Sequence, residues 1–225
     1  MKTFMKKTLI LSGLSLLFGL LTAHGQRVTT YRFGITGGLN ANQIKNDGGL
    51  QGILWRYNVG ISLEQRFSPA IALAYQLVYS RQGESVNNNY RLSASSGTVS
   101  NKQIIIFDYV ALPIMLRVRP KGERAFLEVG GQVGTLIHND FYFTNPPSSV
   151  PRSPIQHLTK IDAGLTGGVG YRLGEHLVVD ARYYYGMKPV LSDFSAINPQ
   201  TGASTLYKRE KWYNRVYLLN LSYYL

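Results

Sequence analysis

The chain has 225 residues, with 24 Lys and Arg against 12 Asp and Glu, so its formal net charge is +12. It contains no cysteine, which excludes a disulfide framework, a thiolate metal site and a lipid-anchored N-terminus. The basic residues are scattered through loops and one strand face, so their distribution does not indicate a nucleic-acid-binding surface and favours contact with anionic lipid headgroups.

Residues 1–25 have the three parts of a secretory signal peptide. A basic start precedes an apolar run over 9–21, and Ala23-His24-Gly25 supplies the small residues of a cleavage site. The apolar run is too short for a transmembrane helix, which needs about 20 residues. We therefore expect cleavage before Gln26 and a single domain over 26–225.

Eight segments of the remaining chain alternate apolar and polar residues, over lengths that suit tilted membrane strands. They lie near residues 31–42, 54–67, 71–81, 103–118, 125–137, 159–173, 177–187 and 212–225. Tight turns at 68–70, 119–124 and 174–176 alternate with long polar loops at 43–53, 82–102, 138–158 and 188–211. This pattern predicts an all-β fold, an eight-stranded antiparallel up-and-down transmembrane β-barrel in the outer membrane, with both termini in the periplasm.

Charge indicates which strand face points into the barrel. A basic side chain that faces lipid near the midplane costs roughly 2 to 4 kcal/mol, so the charged face should point inward and the Tyr, Leu and Val face outward. The alternative, a soluble lipocalin-like barrel, would leave many Tyr, Leu and Val side chains in water. The charges predicted to pair with one another inside the barrel are Arg56, Glu64, Arg66, Glu128, Lys160, Asp162, Arg172, Asp180 and Arg182.

The tight turns also predict a register. They place Glu64 opposite Ala74 and Asp180 opposite Gly170, with Arg172 diagonal to Asp180 and within reach of an ion pair. Large charged side chains then face Gly or Ala, as a narrow interior requires. An eight-stranded barrel is filled by its own side chains, so an open diffusion pore is not expected.

The alternation of apolar and polar residues changes phase within the fourth predicted strand. Residues 110–118 alternate cleanly with an apolar lipid face, but Ile105, Phe107 and Tyr109 continue that face in the opposite parity. We expect a bulge near Phe107 to Tyr109 that reconciles the two halves. Pro113 lacks a backbone donor, so we also expect a local irregularity there.

Five glycine-rich or aromatic motifs carry a family resemblance. They are FGITGGLN (33–40), YVALPIML (109–116), EVGG (128–131), DAGLTGGVG (162–170) and RYYYG (182–186). In order and spacing they resemble the porin-family outer-membrane β-barrel domain that includes PorT-like proteins, over essentially all of 26–225. That family is similar in architecture to OmpA-like and OmpX-like barrels, and most of its members have no assigned activity.

The function expected from these observations is non-enzymatic. The barrel would act in envelope structure or through its extracellular loops, with a PorT-like accessory role in secretion as one form of this. Expected partners are outer-membrane lipids and lipopolysaccharide, the barrel-assembly machinery during insertion, and a protein bound by the loops. No nucleic acid and no cofactor is expected.

An outer-membrane hydrolase acting on lipid A or peptides is the alternative. His138, Asp140, His157 and Ser153 flank or lie in the third long loop and could supply a base, an orienting group and a nucleophile. Polar loops contain such residues in any case, and no spacing here imposes a triad. The same residues are too few for a metal site.

Overall fold

The structure of the chain is a computed structural model. It describes residues 29–46, 49–50, 52–91, 98–120, 123–144, 155–191, 193–197, 204–207 and 211–225. The predicted signal peptide and its cleavage site lie outside these ranges. Within them, no helix is long and apolar enough to cross a membrane. The strands are β1 Thr30–Asn46, β2 Gly49–Leu50, β3 Leu54–Arg66, β4 Ile71–Arg91, β5 Thr98–Val118, β6 Ala125–Phe143, β7 Ile161–Arg172, β8 Leu177–Gly186, β9 Phe194–Ile197, β10 Ser204–Tyr207 and β11 Tyr213–Tyr224.

Eight of these strands form a closed ring. Their order around the ring is β1, β3, β4, β5, β6, β7, β8 and β11, and each pairs antiparallel with the next. The ring closes because β11 pairs with β1, from Gly34 opposite Tyr224 to Lys45 opposite Tyr213. The short strands β2, β9 and β10 belong to long connections. The predicted all-β, eight-stranded antiparallel barrel is confirmed.

The register predicted from the tight turns is also confirmed. Glu64 lies opposite Ala74, and Asp180 lies opposite Gly170. The first turn is closed by a hydrogen bond from the Phe67 amide to the Ile71 carbonyl. We call the end of the barrel that carries the tight turns the turn end, and the opposite end the loop end.

The two faces of each strand differ as the period of two predicts. On the outer face, large apolar side chains such as Ile35, Leu127 and Leu165 are 58 to 65% exposed. On the inner face, polar side chains such as Ser62 and Gln76 are buried. An exposed apolar surface that encircles a closed barrel suits lipid and would be costly in water.

The predicted lipid-facing position of three residues of β5 is wrong. Ile105, Phe107 and Tyr109 are at most 1% exposed and pack inside the barrel with Ile44 and Val190. Residues 104–109 are all buried, and the odd-numbered ones among them have the same parity as Ala111 and Met115, which lie on the inner face. Apolar character alone does not distinguish a dry interior from lipid, and this is why the pattern was misleading.

The irregularity expected near Tyr109 is present, but the extra residue belongs to the neighbouring strand. Asp108 pairs with His138 and Tyr109 pairs with Leu136, so Ile137 of β6 has no opposite residue. At Pro113 the β4–β5 pairing is interrupted between Tyr75 opposite Ile114 and Val78 opposite Ala111. This interruption is expected because proline has no N–H to donate.

Three strands extend beyond the rest of the barrel at the loop end. The last β3–β4 pair is Asn58 with Ser80, whereas β4 and β5 remain paired as far as Arg91 with Thr98. Strand β6 continues alongside β5 to Phe143. Much of the predicted loop 82–102 is therefore strand, because polar residues can extend a hairpin through backbone hydrogen bonds.

Candidate functional site

A cluster of buried charged side chains occupies the turn-end half of the interior. Its centre is Arg117 of β5, which is 1% exposed. Arg117 Nη1 lies 2.9 Å from Glu64 Oε2, and its Nε lies 3.0 Å from Glu128 Oε2. Asp180 Oδ1 lies 3.8 Å from Nη2. The Arg117 guanidinium group therefore contacts carboxylates from three strands, β3, β6 and β8.

Arg182 of β8 shares two of these carboxylates. Its Nε lies 2.5 Å from Glu128 Oε1, and its Nη2 donates a 3.0 Å hydrogen bond to Asp180 Oδ1. Its Nη1 donates to Gln76 Oε1 of β4, at 2.7 Å. Because β4 and β8 lie directly opposite each other in the ring, this hydrogen bond crosses the interior.

Glu64 also binds two arginines nearer the turn end. Arg66 Nε lies 2.5 Å and Arg172 Nη2 lies 2.9 Å from Glu64 Oε1. The predicted pair of Arg172 with Asp180 is therefore replaced by a pair with Glu64, across the barrel from β7 to β3. We call Glu64, Arg66, Arg117, Glu128, Arg172, Asp180 and Arg182 the interior charge network.

The last strand joins this network through a tyrosine. The fully buried Tyr224 hydroxyl accepts a 3.0 Å hydrogen bond from Arg117 Nη1 and lies 2.9 Å from Ser62 Oγ. The Arg117 guanidinium also lies over the Phe126 ring, 4.9 Å from its centroid. Since β5 and β11 are opposite each other, the Arg117–Tyr224 contact is a second link across the interior.

Amides continue the polar packing toward the middle of the barrel. Asn58 Nδ2 donates to Asn40 Oδ1 at 2.7 Å and to Asn220 Oδ1 at 2.9 Å. Asn220 Nδ2 in turn donates to Asp180 Oδ2 at 2.8 Å. The interior charge network is thereby tied to a layer of neutral hydrogen-bonding groups.

Nearer the loop end the interior becomes apolar. Asp162 accepts a 2.8 Å hydrogen bond from Asn214 Nδ2. The same half of the interior contains a group of buried apolar residues that pack against one another. We call this group the apolar plug: Ile44, Ile105, Phe107, Tyr109 and Val190. Partly buried side chains from the loop-end connections, including Ile155 and Leu158, pack against it.

One of the nine predicted interior charges lies outside the barrel interior, and another lies at its loop end. Lys160 is exposed and precedes β7, which begins at Ile161. Arg56 is half-buried near the loop end of β3 and donates a 3.0 Å hydrogen bond to the carbonyl of Trp55. The strand at Lys160 is shorter than predicted, which leaves its side chain in solvent.

The sequence interpretation missed Arg117, the centre of the network. The alternation could have predicted its inward position. Leu116 and Val118 are on the predicted lipid face of the strand, so Arg117 between them has to point inward. It also missed a second pair, which has the outer-face parity of β4 and β5 nearer the loop end: Arg81 Nε lies 3.4 Å from Asp108 Oδ1.

The residues of the hydrolase alternative lie at the loop end. His138 and His157 are exposed, and Asp140 Oδ1 accepts a hydrogen bond from the Phe141 amide. Ser153 is outside the described residues. In the part of the chain that the structure describes, no group of three or more His, Cys, Asp or Glu is arranged to hold a metal ion.

A comparison with protein-family models agrees with this architecture. Residues 25–192 match the family model described as outer membrane protein β-barrel domain. No curated protein matches the chain.

Among solved structures, the chain is similar to Ail of Yersinia pestis, with TM-score 0.45 and 14% identity over 86% of this chain and 98% of that one. It is similar to Neisserial surface protein A, with TM-score 0.48 and 13% identity over 85% and 96%. It is also similar to the outer membrane protease OmpT from Escherichia coli, with TM-score 0.40 and 12% identity over 89% and 99%.

Proposed function

The chain belongs to the outer membrane protein β-barrel domain family, and from this premise we propose that it is a small non-enzymatic outer-membrane protein with a filled interior. It contributes to envelope structure or acts through the loops at its loop end. A PorT-like accessory role in protein secretion is one form of the second activity. Its other partners are outer-membrane lipids and lipopolysaccharide, and the barrel-assembly machinery during insertion.

The observation that carries this proposal is the filling of the interior at two levels. At the turn end, the Arg172–Glu64 and Arg182–Gln76 hydrogen bonds join strands on opposite sides of the ring. At the loop end, Phe107 of the apolar plug is fully buried. Side chains that meet across the interior leave little space for a solute, in keeping with the small diameter of an eight-stranded barrel.

A conductance measurement tests the filled interior. We expect the purified protein, inserted into planar bilayers, to give no stable single-channel current. Replacing Phe107 and Ile105 by Ala, together with Arg117→Ala, removes large buried side chains at both levels and should produce measurable current. Steady conductance by the unaltered protein would contradict the proposal.

An activity assay separates the proposal from the hydrolase alternative. The purified protein should leave lipid A and unstructured peptides intact. If hydrolysis is observed and is lost in His138→Ala or His157→Ala, the protein is an enzyme and the proposal is wrong. Activity that both variants retain would indicate a contaminant.

Action through the loops requires that the loop end be the outer surface. We propose that the mature chain begins at Gln26 and that both termini and the tight turns face the periplasm. Mass spectrometry of the purified protein should give the N-terminus. A protease added to whole cells should cleave in the connection 145–154 and spare the turn at 68–70.

A further inference from the structure

Four arginines face the interior at the turn end of the barrel. Arg32, Arg66 and Arg172 lie near the ends of β1, β3 and β7, and Arg119 follows β5. All four continue the inner face of their strands. We call them the turn-end arginine cluster. They are independent of the loop-end residues on which the proposed function depends.

The carboxylate in contact with this cluster already has its ion-pair partners. Glu64 Oε1 binds Arg66 and Arg172, and Glu64 Oε2 binds Arg117. The next carboxylates inward, Glu128 and Asp180, are engaged by Arg117 and Arg182. The six arginines of the cluster and the network therefore face three buried carboxylates and, beside Arg32, the exposed Glu175, which leaves an excess of two positive charges.

Several donors of the cluster are buried without an acceptor. Arg66 Nη2, Arg119 Nε and Arg172 Nε have no hydrogen-bond partner among the described residues. Leaving a buried charged donor unsatisfied is costly, and a native structure normally supplies an acceptor. Arg66 and Arg172 bind the same oxygen of Glu64, so their guanidinium groups are neighbours.

The surroundings of Arg119 show the same lack of negative charge. Burial and the like charges of Arg66 and Arg117 lower the pKa of Arg119, although Glu64 acts in the opposite direction. The backbone amide of Arg119 is hydrogen-bonded to the Ala70 carbonyl at 2.7 Å, so its position is held by the neighbouring turn. The backbone of Arg119 is thus held by the turn, and its side chain lies near other cations.

We propose that the turn-end arginine cluster binds a phosphate group. A phosphate offers several strong acceptor oxygens and up to two negative charges, and guanidinium groups bind such oxyanions through paired hydrogen bonds. A carboxylate would supply two oxygens and a single charge. A ligand can reach the turn-end arginine cluster from solvent, because the side chains of Arg66 and Arg172 are 26% and 12% exposed. The group is supplied either as free phosphate or on a lipid headgroup.

Calorimetric titration of inorganic phosphate tests the site. The folded protein, in maltoside micelles and chloride buffer, should bind phosphate saturably with one site per barrel. Arg119→Gln should weaken binding roughly tenfold or more, because a charge-assisted hydrogen bond is lost. The matched control is Arg56→Gln, which removes the same charge near the loop end and should retain the affinity.

The outcomes are separable from a folding defect. Each variant is first checked for the change in gel mobility on heating that marks a closed barrel. If Arg119→Gln does not fold, Arg66→Gln provides the same test. Absence of saturable binding by the unaltered protein, or equal weakening by Arg56→Gln, would overturn the proposal.

A second titration distinguishes the two sources of phosphate. It is repeated in maltoside micelles that contain phosphatidylglycerol, against micelles that contain an equal amount of uncharged diacylglycerol. A lower apparent affinity for inorganic phosphate in the first case supports a site occupied by the lipid headgroup. Equal affinities support a site for free phosphate.

Discussion

Arg172 and Glu64 lie 108 residues apart in the sequence and meet inside the barrel, with Nη2 2.9 Å from Oε1. Their strands, β7 and β3, are separated by three strands in either direction around the ring. The contact therefore spans the interior. It connects strands that share no backbone hydrogen bond, so it resists a change in the cross-section of the barrel.

A double-mutant cycle should detect this contact. We expect Arg172→Gln and Glu64→Gln to couple by about 0.5 to 3 kcal/mol in urea unfolding of the micelle-bound protein. The control cycle combines Arg172→Gln with Asp180→Asn. Since Asp180 is held by Arg182 and is linked to Arg172 only through Arg117 and Glu64, this cycle should show a smaller coupling energy than the first. Stronger coupling in the control cycle than in the first would indicate that Arg172 pairs with Asp180, as predicted from the sequence.

Removal of Arg117 should be the most costly single change in the interior charge network. Arg117→Met leaves Glu64 and Glu128 buried with one fewer cation, and we expect a loss of about 3 to 5 kcal/mol in the free energy of unfolding. Arg66→Met is the matched control, because that side chain is 26% exposed and its pair should contribute only about 1 kcal/mol. Equal losses would show that burial does not determine the contribution.

Two adjacent glycines of β6 should respond differently to a methyl group. A Cβ on Gly130, on the inner face, would lie 1.9 Å from the carbonyl oxygen of Ile114, whereas a Cβ on Gly131 would be 3.8 Å from its nearest neighbour. Gly130→Ala should cost about 1 to 3 kcal/mol, and Gly131→Ala should stay within about 0.5 kcal/mol of the unaltered protein. The measurement is the free energy of unfolding in urea. A larger loss in Gly131→Ala than in Gly130→Ala would mean that Gly131, and not Gly130, lies on the inner face.

The inward position of Phe107 can be tested by fluorescence. In a background with Trp55→Phe and Trp212→Phe, Phe107→Trp should not be quenched by lipids brominated on their acyl chains, because quenching requires contact. Leu112→Trp, at a position that is 47% exposed on the outer face, should be quenched strongly. Equal quenching at both positions would return Phe107 to the lipid face.

Strand number and register could be predicted from the sequence because both follow from local patterns. A slip of one residue would move every side chain to the other face. The alternation around Glu64 and Asp180, together with the length of each tight turn, therefore leaves a single pairing. The assignment of these carboxylates to the inner face has the same origin.

Contacts across the interior could not be predicted in this way. The partner of Arg172 depends on the tilt and stagger of strands on the far side of the ring, which no local pattern specifies. Phe107 was misplaced for a different reason. Lipid and a dry interior both favour apolar side chains, and only the closed structure shows which of the two surrounds this residue.

The pairing of β1 with β11 has a consequence for how the chain folds. Gly34 and Tyr224 are neighbours in this seam, yet almost the entire chain separates them. The seam cannot form until the last strand has been made, and the loop-closure entropy must be paid before its hydrogen bonds form. We therefore expect slow, late ring closure, during which the unpaired edges of β1 and β11 are the surfaces that need protection from aggregation.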